Sequence, residues 1–130
     1  MNRNTRTRGF TLIELMVTVA ILALLVGIAV PVYQNYVSTS RNVEAFNNMS
    51  SIRLAEEEYY LENNSYVTDK WYDSVGGDKS LQTSALGWAP AEPDNKQHFK
   101  YHVAANGSSY TITAQGNGRQ VPASVLLTLE

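Results

Sequence analysis

Glu14 is the first residue in this chain that demands a chemical reason. It lies within residues 10–32, which are otherwise apolar except for Thr11 and Thr18. An ionised carboxylate at the centre of hydrocarbon costs roughly 2.5–3.5 kcal/mol on insertion scales, so an acid at this place needs a partner or a task. A second group is His98, Lys100 and His102, alternate residues of one extended stretch, with Lys96 continuing the same line. Alternate strand residues face one way, so these four could imitate a metal site or a weak surface for DNA or another anion; a solvated polar face accounts for them more simply. Glu56, Glu57 and Glu58 read as a solvated helix face. With no cysteine there is neither disulfide, thiolate ligand nor cysteine nucleophile. No glycine-rich phosphate loop or motif around a serine nucleophile accompanies them, and the reading is of a non-enzyme with no metal and no cofactor.

The elements that position these residues follow from charge and periodicity. The 130-residue chain has a formal net charge of −2, but Arg3, Arg6 and Arg8 all precede Phe10. Without them, 7 basic residues face 12 acidic ones, and a body that acidic is a poor general nucleic-acid binder. At about 1.5 Å per residue, the apolar run is long enough to cross a bilayer core. The arginines then stay cytoplasmic and everything after Val32 lies outside. A cleaved secretory signal is one plain reading, since "VGIAV" offers Gly27-x-Ala29 as a small-x-small site. A simple signal anchor is another, but it leaves Glu14 without a role.

The helical pattern continues past the run. Residues 33–62 contain neither Gly nor Pro. Ala45, Met49, Ile52, Ala55 and Tyr59 form one stripe, and Tyr36, Val43, Leu54 and Leu61 form another on nearly the opposite side. Two stripes imply a helix packed once within the subunit and once against neighbours. Arg53 and Glu57 are spaced to pair. Asn63 and Asn64 suit a left-handed helix end. Residues 67–97 read as an irregular loop, rich in Asp, Ser, Gly and Pro, with Trp71, Tyr72 and Trp88 as anchors or, more sharply, an aromatic ligand site. Three strands follow: Phe99, Tyr101 and Val103 alternate against His98, Lys100 and His102; Tyr110, Ile112 and Ala114 alternate against Thr111 and Thr113; and "SVLLTLE" ends the chain. The fold class is α+β: one long N-terminal helix whose distal half packs on a small antiparallel sheet of about three or four strands.

"RGFTLIELMVTVAILALLVGIAVPVYQNYV" closely resembles the class III signal peptide of type IV pilins and type II secretion pseudopilins. The resemblance implies that a prepilin peptidase cuts between Gly9 and Phe10 and that Phe10 becomes the N-methylated first residue. It implies that Glu14 is the assembly acid, paired with the N-terminal amine of a neighbouring subunit. Opposite charges buried together attract, whereas either alone is costly. Pro31 matches the family's helix-breaking proline, and Gly27 lies in the stretch expected to lose helicity in assembled pili. "EAFNNMSSIRLAEEEYYLENNSYVTD" and "YTITAQG" with "LLTLE" resemble later pilin segments. The missing cysteines exclude the bridged C-terminal loop of many pilins, and the calcium loop of the major pseudopilin is absent.

The expected organisation is a leader (1–9), a membrane and filament-core helix (10–32), an amphipathic half-helix (33–63), a connecting loop (64–97) and a sheet (98–130). The expected protein is a pilus subunit, held in the inner membrane as a precursor and then assembled with copies of itself into an extracellular helical filament. Prepilin peptidase and the inner-membrane pilus machinery are its implied partners, and adhesion, twitching motility or DNA uptake its implied uses. A secretion pseudopilin and a minor pilin that binds nucleic acid directly are the alternatives.

Overall fold

The computed structural model describes residues 9–130; the arginines of the expected leader lie outside them. The elements are helix α1 (Leu12–Asn63), strand β1 (Lys70–Tyr72), a short helix α2 (Ser80–Thr83), and strands β2 (Phe99–Asn106), β3 (Ser109–Gly116) and β4 (Leu126–Leu129). The chain divides into two compact units, one ending at Thr39 and the other running from Ser40 to Glu130.

In the first unit the side chains of α1 are nearly all exposed, with Leu12 at 76% and Leu24 at 72%. This stretch is long and apolar enough to cross a membrane. Helix runs through Gly27 and Pro31 without interruption in the isolated chain. Pro31 nevertheless cannot donate to the carbonyl four residues back, which is that of Gly27.

In the second unit the sheet is antiparallel in the order β1-β2-β3-β4. Eight-residue β2 and β3 alternate as the sequence requires, with Phe99, Tyr101 and Val103 buried opposite Gly116, Ala114 and Ile112. Gly107 (φ 66°) opens their two-residue turn, a conformation available to glycine without a Cβ clash. From α1, Ala45, Met49 and Ile52 enter the same core, joined by Tyr72, Leu81, Trp88 and Val121. Each large apolar side chain fully buried there contributes about 1.5–3 kcal/mol. Polar tips in this core find partners. Asn48 Nδ2 donates to the Tyr101 hydroxyl at 2.8 Å, and Trp88 Nε1 donates to Ser51 Oγ at 2.8 Å. Trp88 meets Tyr72 and Tyr101 edge-on, a favoured aromatic geometry.

The helix ends as its asparagines suggest. Asn64 adopts φ 52° and its N–H bonds the Tyr60 carbonyl at 2.8 Å, a left-handed cap. The stretch read as an irregular loop contains regular structure. β1 pairs Trp71 with His102, while α2 buries Leu81. Three residues are too few to show alternation, and β1 exists because an edge of β2 is there to pair with. Tyr72 and Trp88 are core anchors, as expected; Trp71 instead stacks on His102 with ring centroids 4.2 Å apart.

Candidate functional site

Three groups of side chains carried the functional reading, and the first lies at the start of α1. Thr11 precedes the helix and Glu14 sits in its first turn. The Glu14 backbone N–H donates to Thr11 Oγ1 at 3.3 Å, and that hydroxyl donates to Glu14 Oε2 at 3.4 Å. Thr11 is therefore an N-cap and Glu14 its partner three residues on. A carboxylate in the first turn also meets the positive end of the helix dipole. The sequence reading missed this local role, although the Thr-x-x-Glu spacing announces it. Thr18, the other polar residue of the run, donates to the Leu15 carbonyl at 2.8 Å, so its hydroxyl is satisfied by its own helix. Gly9 and Phe10 lie just before the helix and are exposed.

The helix around Glu14 buries nothing inside its own unit. A methyl group built on Gly27 would meet nothing within 4 Å beyond its chain neighbours and the surrounding helix backbone, so no packing contact among the described residues requires a glycine there. Further along α1, Tyr36, Val43, Leu54 and Leu61 remain exposed, Leu61 at 85%. The face opposite the core is thus an unused apolar surface.

The second group is the basic line. His98 Nδ1 lies 2.6 Å from Glu44 of α1, and its Nε2 lies 2.8 Å from Gln120 Oε1. Arg41 completes the cluster by donating to the Gln120 carbonyl at 2.8 Å. His102 Nε2 faces Asp69 at 3.3 Å, and Lys100 Nζ lies 3.9 Å from Asp73 and 5.6 Å from the centre of the Trp71 ring. Lys96 lines an open cleft of about 450 Å³ with Glu44, Glu92 and His98. The structure therefore does not gather the four into one bare cationic face: three meet carboxylates. Their partners come from α1, β1 and its flanks, which sequence spacing along β2 does not reveal.

The third group, the acidic run, divides. Glu57 accepts the Tyr110 hydroxyl at 2.9 Å rather than pairing with Arg53. Burial of Tyr110 and this carboxylate push its phenol up to about 12. Glu56 corrects the expectation of a solvated face, because it is completely buried.

Comparison with known proteins adds the following. Residues 4–30 match the prokaryotic N-terminal methylation motif, and residues 31–124 match the family described as type IV minor pilin ComP, DNA uptake sequence receptor. A fimbrial protein of Pseudomonas aeruginosa is 41% identical over 115 residues, covering 84% of this chain and 74% of the relative. The type IV major pilin PilA of Myxococcus xanthus is 40% identical over 102 residues, covering 78% of this chain and 40% of its own length. Fimbrial protein EcpC of Eikenella corrodens is 45% identical over 62 residues, covering 48% of this chain and 40% of its own length. No solved structure matches.

Proposed function

The chain belongs to the type IV pilin family, and on that premise we propose that it is a pilus subunit that polymerises through its N-terminal helix. The observation that carries this reading is the first-unit part of α1: apolar, unburied within its own unit, and bearing a carboxylate in its first turn. In the precursor that surface is solvated by lipid. In the filament it is covered by the same surface of other copies. Cleavage after Gly9 frees the Phe10 amine, which is then methylated, and that cation pairs with Glu14 of a neighbour. Until then Glu14 is held by Thr11, so it enters assembly already oriented. Breaking a buried ion pair by removing one member leaves the other uncompensated, at about 3–5 kcal/mol. The pairing therefore fixes the axial offset between subunits. Loss of helicity around Gly27 and Pro31 belongs to the assembled state in this proposal, where the unmade hydrogen bond makes it cheap. Glu14→Ala should leave membrane insertion intact and sharply reduce sheared pilus yield; full piliation by this variant would defeat the pairing.

DNA uptake is a second reading, favoured by the family matched over residues 31–124. The line from Lys96 to His102 would supply the contact, although Lys100 and both histidines would first exchange carboxylates for phosphates. The full chain in detergent should shift duplex DNA in a salt-dependent way, and Lys96→Ala with Lys100→Ala should abolish the shift. Undiminished binding by the double variant would remove this face from the account.

A further inference from the structure

Glu56 follows Ala45, Met49 and Ile52 on the helix face that enters the core, and it is 0% exposed. Its Oε2 accepts the Val67 backbone N–H at 2.9 Å, closing the chain over eleven residues. Its Oε1 has no partner among the described residues. A buried carboxylate with one donor and no counter-ion is a costly arrangement. Its titratable surroundings do not relieve it. Glu57 follows it on α1 and adds repulsion. Tyr66 of the succeeding turn stacks on Tyr60 of α1 and meets Tyr110 of β3 at a tilt, with ring centroids 4.5 and 4.6 Å apart. Arg53 acts on Tyr110, whose hydroxyl is held by Glu57.

Asn64 and Asp69 bracket the turn that Glu56 holds, each with φ 52°, a left-handed conformation that Asn and Asp adopt more readily than other side-chain-bearing residues. The turn leads directly into β1, a three-residue edge strand. Glu56 thus bridges the helix to this turn from inside the core, while Tyr66 packs on Tyr60 of α1 and Thr68 exchanges hydrogen bonds with Ala105 of β2.

We propose that Glu56 is an acid-tightened latch, whose protonation secures residues 64–69 against α1 and whose ionisation loosens them. A neutral carboxyl can still accept the Val67 N–H, and it no longer carries a buried charge. Burial pushes the group up from 4.5 to about 6, with the Val67 N–H opposing and Glu57 adding. A carboxyl raised in the folded state favours folding fully below its unfolded value, and that advantage disappears as pH rises through the folded value. The latch therefore tightens as pH falls from about 7 towards 4.5, with a limiting change of about thirty-fold in the opening equilibrium.

Amide exchange at Val67 tests this in the full-length chain in detergent micelles, after correction for intrinsic exchange. Protection in the parent should rise severalfold from pH 7 to pH 5, and in Glu56→Gln it should be high and flat across that range. Parallel profiles in the two proteins would overturn the latch. Carbon-13 NMR of the Glu56 side-chain carboxyl in the parent decides independently of any variant's folding. A midpoint near 6 supports the proposal, and one at 4.5 overturns it.

Discussion

Met49 and Tyr101 belong to one core cluster and risk different things on substitution. Met49 is fully buried, and Met49→Ala should cost about 2–5 kcal/mol, read as a lower denaturant midpoint. Tyr101→Phe keeps the ring and removes the acceptor that Asn48 uses, so the loss should be about 1 kcal/mol. Equal losses in the two variants would mean that the Asn48 contact matters as much as the packing. At this scale the sequence was only partly legible. The stripe of Ala45, Met49 and Ile52 was readable from its spacing, because apolar residues on a helix face have one common destination. Glu56 continues that spacing, yet three consecutive glutamates look the same whether one is buried or all are solvated. What decides between them is the Val67 N–H, which only the folded turn brings to it. The partners of His98 and His102 were hidden for the same reason, since Glu44 lies 54 residues away from His98 and Asp69 lies 33 from His102.

Among the elements, the long strands were legible and the short one was not. β2 and β3 have eight residues each, enough for alternation to separate the buried from the open face. β1 has three and is defined by its neighbour. The turn after β3 carries the next expectation. A Cβ on Gly116 would lie 2.1 Å from the Pro122 carbonyl oxygen and 2.8 Å from its carbon. Those atoms are backbone, and Gly116 N–H is bonded to Val125 at 3.0 Å, so the turn cannot simply swing aside. Gly116→Ala should cost about 1–3 kcal/mol and loosen the pairing of β4 with β3, seen as faster amide exchange at Leu127 and Leu129. Gly27→Ala is the contrasting case. In the isolated chain it should be neutral or stabilising through helix propensity, by up to about 1 kcal/mol. A filament defect in that variant would show that the glycine answers to assembly rather than to folding.

For the whole molecule, fold class was legible in the periodicities, whereas the family was legible only through the resemblance of residues 8–37 to the class III signal peptide; a membrane-length run with one acid near its start also fits a cleaved signal or a simple anchor. The second unit has an apolar core of its own, and the first leaves its helix uncovered. The proposed filament covers that helix by repetition, so the subunit's stability in the pilus depends on its neighbours. In the same proposal lipid supplies the cover beforehand. This account requires that the apolar helix stay in the mature protein, which a cleaved secretory signal would remove, and that the basic leader leave, which a simple anchor would retain. Mass spectrometry of the protein in sheared filaments separates all three. The account predicts a chain beginning at Phe10 with one added methyl on its amine. A chain beginning at Met1, or one beginning after Ala29, would contradict it.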